Sequence, residues 1–361
     1  MSKENIEFIV TSGYQVDKGS ISPMISPIVW IVLLFILVFI VAIAIGANDE
    51  TMASVVGGKV LKLNTAIFIG MCLQIIGAQL LGAGVSETIG QDMVLTPLSF
   101  DIVLILAIAM TIWLLVASLR GYPISTTHSI VGCVLGIGLL IELFTSGPLI
   151  NWATMSEIVI GWILSPIFGL LIAFLIQMVV KKAILPRAKS LDTIERLEKI
   201  FGWFLLAMVV ITALSRGGND VSKAVGILTM IFPDQTFWSW FLLLGGCGMA
   251  IGLFLIGRRV VATVGMEVTE LRPSTSFSAE AAVATVLLVG TIWGIPLSGT
   301  HVLVAAVVGV GIANRNPVRG QGLNKIIIAS FLTVPLSALL AIGLFWLYIA
   351  IRPFFLVFGA I

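Results

Sequence analysis

The chain is poor in charge and in the residues that build most catalytic and metal sites. Only 11% of its 361 residues are charged, and it contains three cysteines and two histidines, whereas about a quarter of a typical soluble domain is charged. The cysteines all lie in apolar runs, which is typical of small buried residues rather than of disulfides or a zinc site. The sequence has no Gly-x4-Gly-Lys-Ser/Thr loop for direct use of ATP. We therefore expect neither a soluble enzyme nor a nucleic-acid-binding protein, and no cofactor other than a coupling ion.

Long apolar runs are what the chain has instead, since 59% of its residues are hydrophobic. A helix that crosses a bilayer needs roughly 20 mostly apolar residues. Ten segments fit this description: 27–46, 64–84, 101–119, 124–144, 153–180, 200–216, 237–257, 278–294, 296–313 and 325–351. Two shorter runs, 50–60 and 221–232, bring the count to between ten and twelve. The sequence predicts an all-α polytopic membrane protein, with broken or re-entrant helices in a lipid bilayer.

The distribution of basic residues predicts an orientation in the membrane. Of the 20 Lys and Arg residues, 15 fall in five places, and basic loops tend to stay cytoplasmic. The five places are Lys59/Lys62, Arg120, 181–199, 258–272 and 315–325. Threading the ten segments with these places inside leaves both termini outside, with 1–26 as a polar extracytoplasmic N-terminus that does not resemble a cleavable signal. We predict a multi-pass protein of the cell inner (cytoplasmic) membrane.

Two short phrases occur twice. Gly46-Ala47-Asn48-Asp49 returns as Gly217-Gly218-Asn219-Asp220, 171 residues later. Residues 123–128, Pro-Ile-Ser-Thr-Thr-His, return as 296–301, Pro-Leu-Ser-Gly-Thr-His, 173 residues later. A charged stretch at 181–199 separates the copies, which predicts a first transmembrane repeat at 27–180, a cytoplasmic linker at 181–199 and a second repeat at 200–361. Each repeat holds five long segments, an odd number, so the repeats are predicted to have inverted topology, as in many secondary transporters.

The Asn-Asp pairs place polar side chains at the ends of apolar segments, where a charge is costly. Carboxylate and amide oxygens, together with carbonyls freed where glycine lets a helix break, suit a small hard cation. The candidate cation ligands are Asn48, Asp49, Asn219 and Asp220, and two pairs give room for about two cations. The alternative is that both Asn residues cap helices, and capping and ion binding can coexist.

The second phrase has the chemistry of a helix N-terminus: a proline, then hydroxyl side chains, then an apolar helix. Such an end offers free N–H groups and a partial positive charge, which favour an anion. Two of these ends, one from each repeat, can face each other across a pseudo-two-fold axis. A polyoxygen anion such as phosphate or sulfate fits this number of donors, although hydroxyls also cap helices for purely structural reasons.

Five other polar residues in or beside the apolar segments are candidates for the site: His128, His301, Glu280, Arg216 and Lys223. Either histidine can donate to an anion, carry a proton or be a structural hydrogen-bonded residue. Glu280 can bind a cation, carry a proton or lie at the cytoplasmic interface. Arg216 and Lys223 flank the second Asn-Asp pair without basic counterparts in the first, and either pair with Asp220 or lie near the anion path.

These phrases resemble the inorganic phosphate transporter family, the sodium- or proton-coupled phosphate permeases often called PiT, over most of residues 40–314. The absence of the long central domain of animal members suggests a prokaryotic minimal form. The resemblance implies that the two Asn-Asp pairs hold Na⁺. It also implies that phosphate is surrounded by the hydroxyl phrases and by the two Asn side chains, namely Ser125, Thr126, Thr127, Ser298, Gly299, Thr300, Asn48 and Asn219.

The sequence departs from the family at positions that bear on ion coupling. The first Asn-Asp continues as Glu50-Thr51-Met52-Ala53, the second as 221–224, Val-Ser-Lys-Ala, and Gln74 stands where many relatives carry a membrane Glu. We expect a symporter that imports inorganic phosphate with Na⁺ by alternating access. A proton-coupled phosphate permease, a sulfate permease and an anion channel are the alternatives, and a homodimer is an open partner hypothesis.

Overall fold

The computed structural model of the chain describes residues 27–96, 98–121, 124–144, 147–187, 190–230, 237–267, 272–315 and 320–358. The predicted N-terminal segment 1–26 lies outside these residues. The described part of the chain is helical and holds no strand beyond an isolated bridge between Val94 and Ile150. The all-α prediction is confirmed.

The helices are numbered here in chain order over the described residues. They are α1 (Pro27–Ala47), α2 (Ala53–Gly57), α3 (Leu63–Glu87), α4 (Phe100–Leu119), α5 (Thr126–Phe144), α6 (Trp152–Val179), α7 (Leu191–Thr229), α8 (Trp238–Gly252), α9 (Arg258–Glu267), α10 (Pro273–Ile292), α11 (Gly299–Asn314) and α12 (Gly320–Phe358). Short π-helical turns extend α3 to Asp92, α6 to Ile184 and α8 to Gly257.

Each of the ten predicted apolar segments lies on one of these helices. Within the described residues, eight helices are long and apolar enough to cross a membrane, and 32–47 and 299–314 form two shorter apolar helices. Large apolar side chains such as Phe68, Leu80 and Trp203 are well exposed on the outer faces, as expected for helices that face lipid rather than water. The protein is a multi-pass membrane protein.

The predicted linker at 181–199 is largely helical at both ends. The chain leaves α6 through π and 3₁₀ turns that reach Arg187. Ser190 then caps α7, its Oγ accepting a hydrogen bond from the N–H of Thr193 at 3.3 Å. The helix that Ser190 begins is long, because it runs without proline to Thr229. The second part of the charged stretch, 191–199, and the second Asn-Asp pair therefore lie on one helix.

The two Asn-Asp pairs differ in backbone conformation. Helix α1 ends at Ala47, so Asn48 and Asp49 lie in the turn that precedes α2. The second pair lies inside α7, which continues through Asn219 and Asp220 without a break. The expected helix break is found in the first copy only, and capping by Asn219 is wrong. Gly217 allows the unbroken helix to approach α3 closely, because a Cβ there would lie 2.7 Å from the carbonyl oxygen of Gln74.

Helix packing between the halves is reciprocal. Helix α3 of the first half packs against α7 of the second, and their counterparts α8 and α1 pack together in the same way. Likewise α6 packs against α11, and α12 packs against α5. This pattern is expected of two repeats related by a two-fold axis, and the inverted orientation itself stays a prediction. The packing brings the ends of α1 and α4, the middle of α7 and the starts of α5 and α11 together.

Candidate functional site

The two Asn side chains make matching contacts in the two halves. Asn48 Nδ2 donates to the carbonyl of Ile124 at 2.6 Å, and Asn219 Nδ2 donates to the carbonyl of Ile295 at 3.0 Å. Each acceptor lies 76 residues after its Asn; Ile124 directly precedes Ser125, whereas Ile295 lies three residues before Ser298. Each Asn thus holds the segment that enters α5 or α11, which explains in structural terms why the two phrases recur together.

The two hydroxyl phrases begin helices at equivalent positions. Ser125 Oγ accepts from the N–H of His128 at 3.1 Å, and Ser298 Oγ accepts from the N–H of His301 at 3.4 Å. The phrases also contact each other directly, because Thr127 Oγ1 donates to the carbonyl of Leu297 at 2.7 Å. The N-termini of α5 and α11 therefore meet inside the protein, and their partial positive charges lie on the same region.

The two histidines face each other beside these helix starts. The rings of His128 and His301 lie edge to face with centroids 4.6 Å apart, and His128 stacks on Trp162 at 3.8 Å. His128 Nδ1 also lies 2.5 Å from Ser125 Oγ. These contacts form a packed aromatic cluster beside the two helix starts. They agree with a structural role for both histidines, and a role in anion binding or proton transfer stays a prediction.

A buried cluster of ionised groups lies at the centre of the site, and Arg216 joins its parts. Arg216 Nη1 lies 2.8 Å from Glu50 Oε1 and 3.5 Å from Asp49 Oδ1, while its Nε lies 3.2 Å from Asp220 Oδ2. Lys223 pairs with Asp220 on the other side. All five side chains are buried. Arg216 thus connects the two Asn-Asp pairs, and of its two interpretations from the sequence the pairing with Asp220 is present, while a place near the anion path stays a prediction.

Gly299 makes room for the guanidinium of Arg216 at the start of α11. A Cβ at this position would lie 2.9 Å from Nε and 3.0 Å from the central carbon of the guanidinium. The next residue, Thr300, donates from Oγ1 to Glu50 Oε1 at 2.8 Å. The Glu50 carboxylate oxygen is therefore held by a guanidinium and a helix-start hydroxyl together, a set of donors that suits any oxyanion.

The first Asn-Asp pair is surrounded by oxygen atoms. Asp49 Oδ1 accepts from Thr51 Oγ1 at 2.5 Å, and Asp49 Oδ2 accepts from Gln74 Nε2 at 2.5 Å. Two buried oxygens of the same neighbourhood, Glu50 Oε2 and Gln74 Oε1, have no hydrogen-bond partner among the described residues. Buried acceptors without a donor are costly, and both can be satisfied by a cation bound beside Asp49.

Glu280 contributes a further buried carboxylate from α10. Its Oε2 accepts a hydrogen bond from Ser54 Oγ at 2.6 Å, on α2 just after the first Asn-Asp pair. Glu280 is 2% exposed, so it does not lie at a solvated interface. The two other interpretations of Glu280, cation binding and proton transfer, remain predictions.

The sequence reasoning assigned none of five further residues to the site, although it named the first three as departures from the family: Glu50, Thr51, Gln74, Ser54 and Trp162. Glu50 and Gln74 carried a usable signal, because each is a polar residue in an apolar setting. Trp162 carried none, since an aromatic residue in a membrane helix is ordinary. Among the described residues no three His, Cys, Asp or Glu side chains form a metal-binding group.

Comparison with known proteins identifies the family. The profile of the phosphate transporter family matches residues 45–341, well over half of the chain. The chain belongs to the phosphate transporter family. The family and its named relatives are transporters and permeases rather than enzymes. The matched range contains both Asn-Asp pairs, both hydroxyl phrases and the whole buried ion cluster.

Relatives of this phosphate transporter family member come from archaea, bacteria and plants. A protein of Thermococcus kodakarensis described as a candidate phosphate permease is 31% identical, over 88% of this chain and 97% of that protein. The chloroplast inorganic phosphate transporter 2-1 of Arabidopsis thaliana is 28% identical, over 86% of this chain and 71% of that protein. A solved structure, the sodium-dependent phosphate transporter, superposes with a TM-score of 0.77 at 29% identity, covering 89% of this chain and 99% of the other.

Proposed function

We propose that the protein is a secondary symporter that imports inorganic phosphate together with Na⁺ by alternating access. The observation that carries this proposal is the meeting of two hydroxyl-rich helix starts with both Asn-Asp pairs in one buried cluster. Membership of the phosphate transporter family supports the substrate. The similarity to a solved sodium-dependent phosphate transporter supports the coupling ion.

Phosphate is assigned to the region between the starts of α5 and α11. The contact between Thr127 and Leu297 shows that these starts adjoin, and both present free N–H groups and hydroxyls. On the α11 side, the position held by Glu50 Oε1 already has donors from Arg216 and Thr300. Phosphate oxygens can use the same donors when Glu50 moves aside. Ser125, Thr126, Ser298, Gly299 and the two Asn side chains complete the proposed surroundings.

Na⁺ is assigned to the first Asn-Asp pair. Asp49 supplies a carboxylate, and the unpartnered oxygens of Glu50 and Gln74 supply further hard ligands. Asn48 lies next to them, in the turn where the backbone of α1 ends. These oxygens and the phosphate donors share Glu50 and Arg216, so binding of cation and anion is expected to be mutually favourable. That coupling is what a symporter requires.

The repeat supports alternating access. Helix α3 packs on α7 as α8 packs on α1, so the two halves can exchange their conformations, which would open the site first to one side of the membrane and then to the other. We place the protein in the cytoplasmic membrane with both termini outside, from the basic loops alone.

Three alternative functions compete with sodium-coupled phosphate import. A sulfate permease would use the same anion donors, and a proton-coupled permease would use the same carboxylates. An anion channel would have no need of the Asn-Asp pairs.

Replacing Thr300 with Val should weaken phosphate binding. The change removes one hydroxyl at nearly constant volume, and a hydrogen bond to a charged ligand contributes about 1.5–3 kcal/mol. By the usual conversion of about 1.4 kcal/mol per decade, the apparent phosphate affinity falls roughly ten- to a hundredfold. Radiolabelled phosphate uptake by proteoliposomes, measured against phosphate concentration and with sulfate as competitor, gives this value.

Thr285→Val is the matched control. Thr285 Oγ1 donates to the carbonyl of Ala281 on its own helix at 2.8 Å, so the same substitution removes a hydroxyl away from the site. It should leave the phosphate affinity unchanged. Equal affinity in the Thr300→Val protein and in the wild type would rule out a direct contact, and competition by sulfate at equal strength would assign the site to both anions.

A further inference from the structure

The oxygens of the second Asn-Asp pair are already in contact with a positive charge, the amine of Lys223. Lys223 Nζ lies 3.1 Å from Asn219 Oδ1 and forms an ion pair with Asp220 Oδ1. The side chain has no exposed surface. An ammonium group is a compact single charge with three donors. The ammonium group of Lys223 therefore contacts the oxygens of Asn219 and Asp220 as a bound monovalent cation would.

The first pair has no lysine beside it, and its positively charged neighbour is the shared Arg216, whose Nη1 lies 3.5 Å from Asp49 Oδ1. Met52 occupies the position that matches Lys223, 171 residues earlier, and it has no charge. Asn48 Oδ1 accepts instead from the backbone N–H of Ile124 at 3.2 Å, and Asp49 accepts mainly from neutral donors. The repeat is thus symmetric in its Asn-Asp pairs and asymmetric in the cation beside them.

The remaining contacts of Asp220 give each of its two carboxylate oxygens a donor. Thr126 Oγ1 donates to Oδ1 at 3.1 Å, and Arg216 Nε donates to Oδ2 at 3.2 Å. A sodium ion at this carboxylate would have to displace Lys223 and leave its ammonium buried without a partner. Removing one partner of a buried ion pair leaves an uncompensated buried charge and is strongly destabilising, which disfavours that exchange.

The charge count in the cluster agrees with this picture. Asp49, Glu50 and Asp220 supply three negative charges, and Arg216 and Lys223 supply two positive charges. One negative charge is in excess, on the side of Asp49, where the unpartnered oxygens lie. Among these five ion-paired side chains, one added monovalent cation balances the charge, and without Lys223 a second would be required; Glu280, the further buried carboxylate, is hydrogen-bonded to Ser54 and is not counted here.

We propose that Lys223 is a tethered cation that fills the second Asn-Asp pair, so that a coupling Na⁺ binds only at the pair formed by Asn48 and Asp49. The proposal rests on the sodium symport proposed above and specifies its ion stoichiometry. It gives the two halves different roles, with the first pair exchanging its cation in every cycle and the second keeping its own.

The test compares ²²Na⁺ and ³²P uptake by the same proteoliposomes at a clamped membrane potential. Lys223→Ala removes the amine and leaves space beside Asn219 and Asp220. We expect this protein to carry one more Na⁺ per phosphate than the wild type, with a steeper dependence of uptake on Na⁺. Lys223→Arg keeps the charge and should show no gain.

Lys181→Ala is the matched control, because the amine of Lys181 contacts a backbone carbonyl, that of Ala313, at 3.0 Å rather than a carboxylate. Its Na⁺ to phosphate ratio should equal that of the wild type. An unchanged ratio in a folded Lys223→Ala protein would overturn the proposal. Wild-type uptake without any Na⁺ stimulation would instead overturn the proposed symport, so the two failures are distinguishable.

A second measurement needs no change at Lys223. Saturable ²²Na⁺ binding to purified Asp49→Asn protein should be absent, because the second pair is filled by the lysine. Residual Na⁺ binding that disappears only after the further change Asp220→Asn would show an open second site and contradict the proposal. This arm decides the question even when Lys223→Ala fails to fold.

Discussion

Asp49→Asn is expected to abolish sodium-stimulated phosphate uptake while the protein stays folded in the membrane. Asp49 is the carboxylate nearest the unpartnered oxygens of Glu50 and Gln74, and its own contacts are mostly with neutral donors. Opposite unit charges about 4 Å apart interact by about 4 kcal/mol at an effective dielectric constant of about 20. Loss of that attraction lowers the apparent Na⁺ affinity roughly a thousandfold.

Asp101→Asn provides the control for the Asp49 experiment. Asp101 lies at the start of α4 and accepts a hydrogen bond from the hydroxyl of Tyr348 at 2.7 Å, which an amide oxygen can also accept. Uptake by this protein should depend on Na⁺ as in the wild type. Normal Na⁺ dependence in Asp49→Asn would remove Asp49 from the cation site.

Arg216→Gln is expected to have the largest effect on stability. The guanidinium is in contact with three buried carboxylates, those of Asp49, Glu50 and Asp220. Removing one partner of a buried ion pair costs about 3–5 kcal/mol, and here a single change leaves several charges without their partner. We expect the free energy of unfolding in detergent to fall by at least that amount, and phosphate uptake to be lost.

The exposed Arg258 serves as the reference for this experiment. Its side chain donates to Asn64 at 3.0 Å near the surface, so Arg258→Gln should change stability by about 0.5 kcal/mol or less. Adding Glu50→Gln to Arg216→Gln removes one of the orphaned charges and should restore part of the lost stability, since contacting residues do not act additively. Equal stability of Arg216→Gln and Arg258→Gln would contradict the central role of Arg216.

Apolar length was enough to predict the helices, because a bilayer-spanning helix must bury a long run of apolar residues. All ten predicted segments lie on helices of the described chain. The course of α7 could not be predicted in the same way. Gly217 and Gly218 predict a break when taken alone, but the neighbouring α3 approaches so closely that the glycines serve packing instead.

The recurring phrases predicted which polar residues lie together inside the protein, because a duplicated polar phrase in an apolar chain is costly unless its groups find partners. They did not predict how these residues pair. Glu50, which stands in one copy only, binds Arg216 from the other half across 166 residues. For Lys223 the sequence left open whether it pairs with Asp220 or lies near the anion path, and the structure shows the buried ion pair. Long-range pairing of this kind depends on helix packing, which local patterns do not encode.

The most direct test of sodium-coupled phosphate import is uphill uptake of radiolabelled phosphate by proteoliposomes, with Na⁺, K⁺ and proton gradients imposed one at a time. The account predicts that an inward Na⁺ gradient, at clamped pH and membrane potential, accumulates phosphate above its external concentration, while a K⁺ gradient does not. Full accumulation driven by a proton gradient in Na⁺-free buffer would contradict it, as would uptake that only equilibrates phosphate under every gradient.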